Sequence, residues 1–401
     1  MQDDIHTSPK TNNGQHHSPI KQWSESAGPG SSFVSHHGKQ GHKKWWPPHW
    51  PQLSKKQWII VAVVAVVVIG GGITAYAMMS KPKPVVHTTT VKKAPVVTKP
   101  APVVLTSTLT GMPVADASIN DRPVTAVMIE NSTFARPQSG LDQAGVVFEA
   151  VAEGGITRFV ALYQDTAPTY IGPVRSVRPY YLQWLMGFDA SVAHVGGSPE
   201  ALNDIKSWGT KNLDQFTNGS YFHRITARVA PHNVYTSLAN LNALEAKLGY
   251  GKSAYTGFAR KTATPSASPT ASSIDFAISS ADYNVHYDYD KASNSYKRSE
   301  GGKPHMVVDE SGVQTQITPK VVVGLVMQKG IESDDLHSSY NTIGSGQAYV
   351  FQDGILTVGT WHKADSKTNF TFTDANGAPL KFDPGQTWLT ALGAASSISY
   401  K

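Results

Sequence analysis

The sequence predicts an α/β domain built on a mixed sheet with helices, followed by a mainly β domain and preceded by one transmembrane helix. Three observations support this fold class. An apolar run occupies residues 58–79, strand and helix patterns alternate over residues 119–255, and short strand patterns separated by turns fill residues 274–401. Alternating strands and helices are typical of α/β folds, whereas consecutive short strands indicate a β domain.

Composition and charge narrow the classes of function. The 401 residues include no cysteine, so a thiol nucleophile, a disulfide and a thiolate metal site are excluded. Before residue 104 the chain has 12 Lys+Arg and 3 Asp+Glu, whereas the remainder has 23 and 26. The part expected to fold is therefore slightly acidic. Nucleic-acid binding needs a basic face, so we expect no nucleic acid to bind the folded domains.

The N-terminal residues 1–57 are polar, basic and rich in Ser, His, Gly, Pro and Lys. They cannot bury enough apolar surface to offset the entropy of ordering, which predicts a disordered cytoplasmic tail. Residues 42–50 mix lysine with tryptophan, a combination that suits a lipid headgroup layer. An adhesive disordered tail explains the same composition equally well.

Residues 58–79 carry no charge, and about twenty apolar residues are enough to span a hydrocarbon core of roughly 30 Å. The run starts far from the first residue, which disfavours a cleaved signal peptide. We therefore predict a single-pass helix in the plasma membrane. Five lysines lie within about twenty residues of each end of the run, so charge does not decide the orientation. The wall-spacer-like segment that follows favours a cytoplasmic N-terminus and extracytoplasmic C-terminal domains.

Residues 80–118 are rich in Val, Thr, Pro and Lys. Repeated proline favours extended polyproline conformations, with a rise of about 3.1 Å per residue. This composition predicts a stalk that holds the folded part away from the bilayer.

The predicted first domain, residues 119–255, begins with strand patterns at 124–131, 145–152 and 157–165. Ser176 is a candidate cap for a helix running to about residue 188, and a short apolar strand is expected at 190–195.

Two further helices are indicated by their end signals. Ser198, Pro199 and Glu200 supply an N-cap, a proline at the first helical position and an early acid. Thr236 and Gly249 are the expected ends of the last helix of this domain.

Residues 256–273 are predicted to form a linker, because residues 260–273 consist mostly of Ser, Thr, Pro and Ala. Residues 274–401 then show the mainly β pattern. Asp353-Gly354 and Asn376-Gly377 are typical tight-turn dipeptides between strands.

Three carboxylates are candidates for chemistry. Glu130 ends the first strand pattern, and Glu149 and Glu153 lie at the end of the second. A carboxylate can act as general acid or base when its site shifts its pKa, so Glu149 or Glu153 with His232 would be the catalytic pair of a hydrolase. Four strand positions separate Glu149 from Glu153 by roughly 13 Å, too far for a glycosidase pair without a bend. Ion pairs with arginine are the favoured alternative.

Arg175 and Arg178 lie near a predicted helix start, where positive charge opposes the helix dipole. Nearby carboxylates or an anionic ligand held by the guanidiniums should compensate it. Gly196, Gly197 and Ser198 could present backbone N–H groups to an anion, although a simple capped turn explains them at least as well. The P-loop lysine and the complete dinucleotide-binding glycine pattern are absent from the sequence.

His232 and Asn233 precede a helix on an expected loop, where binding residues are common. His194, at a strand end, is more simply explained as a hydrogen-bonded structural residue. No HExxH or similar zinc pattern occurs, so we predict neither a metal site nor a cofactor. The predicted ligand-binding set is Glu130, Arg175, Arg178, Gly196, Gly197, Ser198, His232 and Asn233.

Several stretches together resemble the YerB-like family of bacterial envelope lipoproteins, over about residues 119–400. The first-domain stretches read RPVTAVMIEN, ARPQSGLDQAGVVFEAVAEGGITRFVALY, IGPVRSVRPYYLQWLMGFDASVAHVGGSPEAL and APHNVYTS. In the second half, the matching residues are Tyr296-Lys297-Arg298, Gly302, Pro304-His305, Asp309, Gly359–Lys363 and Pro384–Trp388.

The resemblance implies an exported protein with two domains, and it implies no reaction. A lipoprotein carries its lipid on a cysteine, which this sequence lacks. The helix at 58–79 would take the place of that anchor. We therefore expect a membrane-anchored envelope protein that binds or scaffolds a cell-wall polymer, another anionic ligand or an envelope protein. The alternative is an envelope hydrolase that uses the Glu/His pair.

Overall fold

The computed structural model describes residues 53–79 and 104–401, with only the backbone for residues 73–79. The predicted tail up to residue 52 and the predicted stalk from 80 to 103 lie outside the described residues. The described residues form two units: residues 53–79 belong to the first, and residues 104–401 belong to the second.

The first unit contains the helix α1 (Lys55–Met79). Its window from Lys55 to Gly72 is long and apolar enough to cross a membrane, and none of that window is buried. The structure thus confirms one candidate membrane-spanning helix ahead of the α/β domain, as the fold class predicted.

The second unit is organised around a ten-stranded mixed sheet. Five of its strands come from residues 104–272, named here the first half: β1 (Thr125–Glu130), β2 (Val146–Glu153), β3 (Ile156–Tyr163), β4 (Ser191–His194) and β5 (Asn212–Asp214). β1 and β2 each pair antiparallel with β3, whereas β4 runs parallel to β1. β1 is buried along its whole length, as expected for a strand covered on both faces. A small antiparallel ribbon lies beside this sheet and consists of β6 (His223–Arg224) and β7 (Val234–Tyr235).

Residues 273–401, named here the second half, are mainly β, as predicted. Its strands are β8 (Ser273–Phe276), β9 (Val285–Asp290), β10 (Ser295–Glu300), β11 (Lys303–Pro304), β12 (Met306–Val308), β13 (Gln314–Gln316), β14 (Val321–Val326), β15 (Lys329–Ile331), β16 (Ser338–Tyr340), β17 (Gly344–Gln352), β18 (Ile355–Lys363), β19 (Thr371–Asp374), β20 (Thr387–Leu392) and β21 (Ile398–Tyr400). Asp353 and Gly354 both have positive φ and close the β17–β18 hairpin, which is the predicted tight turn.

The two halves share the ten-stranded sheet, whose order is β19-β18-β17-β14-β20-β2-β3-β1-β4-β5. β20 is the joining strand because it pairs in parallel with β14 on one side and with β2 on the other. A second sheet, β11-β10-β9-β8-β21, belongs to the second half alone. Side chains of both halves also share the buried core, where Phe148 and Trp184 lie in one hydrophobic cluster with Leu389.

The helices of the second unit are α2 (Pro179–Met186), α3 (Pro199–Trp208) and α4 (Leu238–Leu248). Ser198 caps α3 and Gly249 ends α4 in the left-handed conformation, both as predicted. The prediction that Ser176 caps α2 is wrong, because the cap residue is Arg178. The backbone before Arg178 is extended and bonded to the sheet.

The cap of α4 also differs from the prediction by one position. Ser237 accepts the capping hydrogen bond, whereas the Thr236 hydroxyl donates to the Tyr221 carbonyl.

The folded unit extends into both segments that the sequence predicted to be stalk and linker. Leu109 is only 1% exposed and lies in the same core cluster as Phe258. Arg260 donates hydrogen bonds to the carbonyls of Leu109 and Asp383, so the two segments are bonded to each other and to the second half. The described end of the predicted stalk, 104–118, and the predicted linker, 256–273, are therefore packed parts of the fold.

A pair of leucines tests this placement. Leu109→Ala should lower the free energy of unfolding by about 2–5 kcal/mol, because it leaves a cavity in a packed core. Leu105→Ala is the matched control, since Leu105 is 44% exposed and should cost less than about 0.5 kcal/mol. Denaturant unfolding of both variants measures the difference, and equal stability of the two would show that Leu109 belongs to a loose stalk.

Candidate functional site

The candidate site lies where two neighbouring parallel strands end. β1 ends at Glu130 and β4 at His194. Arg175 is held between them, because its N–H donates to the Met128 carbonyl at 2.9 Å and its carbonyl accepts from the Val195 N–H at 3.0 Å. Ligands of α/β sheets commonly bind at the carboxyl ends of the strands.

Glu130 is the centre of this site and is only 3% exposed. Its Oε1 accepts a hydrogen bond from the Ser132 hydroxyl at 2.8 Å and lies 2.8 Å from Nδ1 of His232. Its Oε2 lies 3.4 Å from Nε of Arg175, yet neither of these two atoms has a hydrogen-bond partner among the described residues. Only one of the two carboxylate oxygens of Glu130 therefore has hydrogen-bond partners among the described residues.

His232 and Arg175 form the accessible part of the site, since each side chain is 21% exposed. Because Nδ1 of His232 faces Glu130, Nε2 is the ring nitrogen that is left for another partner. Ser132 contacts the same Nδ1 atom, at 3.4 Å. A serine–histidine–acid triad needs the hydroxyl at Nε2, so these residues do not form one.

An exposed aromatic ring and a half-buried guanidinium lie beside this pair. Phe134 is 76% exposed, and its ring lies 5.6 Å from that of His232. Arg228 donates hydrogen bonds to the carbonyl of Phe134, at 3.2 Å, and to that of Pro137. We name the group Glu130, Phe134, Arg175, Arg228 and His232 the Glu130 surface.

Arg178 is compensated by Glu153. The Glu153 carboxylate accepts hydrogen bonds from Arg178 at 2.5 Å and from Arg158 at 2.6 Å. Burial raises the pKa of Glu153 and the two guanidiniums lower it, with the net result below its ordinary value. Both arginine side chains are almost fully buried, at 3% and 2% exposure. Arg178 and Glu153 therefore form a structural ion pair.

Glu149 is fully buried in the middle of the shared sheet. Both of its oxygens accept hydrogen bonds from Nη2 of Arg298, at 3.0 and 2.9 Å, and Oε2 also accepts from the Trp388 indole at 3.0 Å. Among the described residues, neither Glu149 nor Glu153 contacts His232. The carboxylate that the structure brings to His232 is Glu130.

The remaining predicted residues are engaged within the protein. Ser198 accepts the capping hydrogen bond of α3 from Ala201 N–H at 3.4 Å. Gly196 accepts from the His194 ring at 2.8 Å and Gly197 pairs with Val177, so this turn packs against its own chain. Asn233 is nearly buried and accepts from Arg224 at 2.7 Å.

A second polar cluster lies next to Glu130 and was not predicted. Asn131 donates to Glu300 at 2.6 Å, and Gln138 accepts from Nε2 of His305 at 3.0 Å. Burial raises the pKa of Glu300, whereas burial and the charges of Arg298 and Arg136 hold the pKa of His305 well below its ordinary value. A cavity of about 370 Å³ opens beside this cluster, with Arg136, Glu300, Lys303 and His305 in its wall.

Local sequence gave only a partial signal for this cluster. Arg136 and Gln138 lie in ARPQSG, and Glu300 lies between Arg298 and His305, so all three belong to or adjoin the stretches that carry the family resemblance. Their convergence depends on the contact between the two halves, which spacing along the chain does not indicate.

The Glu153 ion pair predicts how stability depends on pH. Its folded-state pKa is lowered, so its contribution is fully present above the unfolded-state value and is lost as pH falls through the folded-state value. Glu153→Gln should cost about 3 kcal/mol near pH 7, because two buried arginines lose their partner. The difference from the parent should shrink below about pH 4.

Denaturant unfolding from pH 7 to pH 3 measures this difference. Glu310→Gln is the control for removing an acid, since Glu310 is exposed, and it should change the curve little. A Glu153→Gln curve parallel to that of the parent across this range would show that the pair contributes no pH-dependent stability.

Comparison with known proteins agrees with this architecture. Residues 109–251 match the N-terminal domain of the family described as protein of unknown function (DUF3048), and residues 274–389 match its C-terminal domain. The chain is 32% identical over 295 residues to YerB, a candidate lipoprotein of Bacillus subtilis (strain 168). That alignment covers 71% of this chain and 86% of the relative.

The fold is also similar to a solved structure. The crystal structure of the YerB protein from Bacillus subtilis superimposes with a TM-score of 0.65 at 28% sequence identity, covering 74% of this chain and 99% of that one. The chain therefore belongs to the YerB-like, two-domain DUF3048 family.

Proposed function

We propose that this chain is a membrane-anchored protein of the bacterial cell envelope that binds an anionic, wall-associated polymer at the Glu130 surface. Two observations support the location. The helix α1 is long and apolar enough to cross a membrane. The relative YerB carries the name of a lipoprotein, which is another form of membrane attachment. In this proposal α1 replaces the lipid anchor and holds the second unit outside the membrane.

The charge around the Glu130 surface supports an anionic ligand. Arg175 is accessible, Arg224 is exposed and Arg228 is half-buried beside it. This concentration of cations stands out because residues 104–401 have fewer basic than acidic residues overall. A guanidinium binds phosphate or carboxylate groups through paired hydrogen bonds.

Exposed aromatic groups suit a sugar-containing polymer. Phe134 lies directly on the Glu130 surface, and Phe216 is also 72% exposed, next to Gly196. The apolar face of a sugar ring can pack on such a side chain, while neighbouring cations bind the charged substituents.

The hydrogen bonds and ion pairs of Glu149 and Glu153 favour binding over hydrolysis, and they are the main support for the proposal. Glu149 is inaccessible and bonded to Arg298, and Glu153 is bonded to two buried arginines. A general acid or base must reach the proton that it transfers. Glu149 cannot reach one in this arrangement, and each oxygen of Glu153 already accepts a hydrogen bond from a guanidinium.

A hydrolase remains the second candidate because of Glu130 and His232. A carboxylate that orients the Nδ1–H of a histidine leaves Nε2 available as a general base, and here that histidine is partly exposed. The function would then depend on Glu130 with His232.

Binding and hydrolysis can be tested in one experiment with the full chain in detergent micelles. We expect the parent to co-sediment with purified peptidoglycan that retains its covalently attached anionic polymer, and to bind less after that polymer is removed. Arg175→Gln/His232→Gln should weaken binding by about tenfold or more, since each charged hydrogen bond contributes about 1.5–3 kcal/mol.

Lys252→Gln is the matched control, because Lys252 is an exposed cation that does not belong to the Glu130 surface. It pairs with Asp121, which precedes the start of β1, whereas Glu130 is at the end of that strand. It should bind like the parent. Release of soluble wall fragments by the parent, lost in His232→Gln, would establish the hydrolase instead. Neither binding nor release would contradict a wall-directed function altogether.

A further inference from the structure

The hairpin of β15 and β16 carries a six-residue turn, 332–337, with an acid, an acid and a histidine at its first, third and last positions. The N–H of Glu332 donates to the His337 carbonyl at 2.7 Å, which brings the two ends of the turn together. Oδ1 of Asp334 accepts the N–H groups of Leu336 and His337, both at 3.0 Å. Its other oxygen faces Nδ1 of His337 at 2.5 Å.

Glu332 is an unusual member of this turn. The residue is only 6% exposed, and neither oxygen of its carboxylate has a hydrogen-bond partner among the described residues. The Ser198 hydroxyl and the guanidinium of Arg178 lie near this carboxylate without a hydrogen bond of ordinary geometry. A buried carboxylate without a partner is costly, typically by about 1–3 kcal/mol or more. A buried carboxylate of this kind is a candidate ligand for a cation.

The geometry suits a metal ion as that partner. One ligand atom each from Glu332, Asp334 and His337 lies within 4.8 Å of the other two. Zinc binds carboxylate oxygen and imidazole nitrogen at about 2.0–2.2 Å, so two ligand atoms on one ion are at most about 4.4 Å apart. Small side-chain rotations therefore close the set around an ion.

We propose that Glu332, Asp334 and His337 form a binding site for a divalent transition metal of the zinc class. One imidazole and two carboxylates favour zinc-like ions over Ca²⁺ and Mg²⁺, which take oxygen ligands. Three protein ligands leave a fourth position for water or for a group of a bound partner. The site is independent of the Glu130 surface and shares no residue with it.

The sequence predicted no metal site because the spacing of these ligands matches none of the zinc patterns considered. An acidic turn between short strands is ordinarily a solvated loop. Only the fold shows that Glu332 is buried, next to the N-terminus of α3, while its carboxylate lacks a hydrogen bond.

Zinc binding to the full chain in detergent micelles tests the proposal, with a chromophoric chelator as competitor. The adjacent pairs His16-His17 and His36-His37 could chelate zinc, so all variants are made in a background in which these four histidines are replaced by Ser. The background protein should bind one equivalent of Zn²⁺ that Glu332→Gln and His337→Gln each weaken by about 100-fold, because loss of a direct ligand costs at least as much as loss of an outer-shell partner.

His286→Gln is the matched control, since His286 is also a surface histidine that contacts two aspartates, Asp275 and Asp288. It should retain the parental affinity. Zn²⁺ should also raise the Tm of the background protein and leave that of Glu332→Gln unchanged. Asp334→Asn provides a further variant, with its ligand in an exposed position, if either of the first two fails to fold.

Unchanged zinc affinity in the variants of Glu332, Asp334 and His337 would overturn the proposal. An equal loss in His286→Gln would overturn it as well, because the binding would then be unspecific to the turn.

Discussion

The buried ion pair between Glu149 and Arg298 is the interaction on which the rest of the second unit depends. Both side chains are fully buried, so each charge has lost its hydration and relies on the other. Removing one partner of such a pair typically costs about 3–5 kcal/mol. Glu149 belongs to β2 in the first half of the chain, and Arg298 belongs to β10 in the second. Neither charge can therefore be buried at low cost unless the two halves are in contact.

The same contact assembles the polar groups around it. The Trp388 indole donates to Glu149 from the joining strand β20, and Arg298 lies near Glu300, which Asn131 bonds from the end of β1. These bonds occupy most of the acidic groups that could have served catalysis. Glu130 differs, because it is held by the first half alone and faces the partly exposed His232. The charges buried at the contact between the halves are thus neutralised, whereas cations and an aromatic side chain lie at the surface around Glu130.

Local signals predicted much of this architecture. The first strands were predictable from their apolar content, and α3 from its serine cap and first-turn proline. The sequence also predicted that Arg178 needs either an acidic partner or a bound anion, and it did not choose among Glu130, Glu149 and Glu153. Only tertiary structure selects Glu153, because the choice depends on the pairing of β2 with β3 and on the extended chain before α2.

Contacts between residues far apart in the sequence could not be predicted from local patterns. The parallel pairing of β20 with β2 joins residues more than two hundred positions apart, and no local pattern encodes the partner of a buried strand. Proline- and threonine-rich composition likewise obscured the packing of Leu109 and Phe258. The sequence around Glu332 is typical of a surface turn. Its burial comes from elements distant in sequence and could not be predicted from that turn.

Native-state hydrogen exchange of the full chain in detergent micelles, at increasing denaturant, tests most directly whether the two halves are one cooperative unit. Amides of β2, from the first half, and of β14, from the second, should converge on one opening free energy with one denaturant dependence. The shared sheet and the Glu149–Arg298 pair require this result. A second half that opens separately, at a clearly lower free energy than β2, would contradict the account.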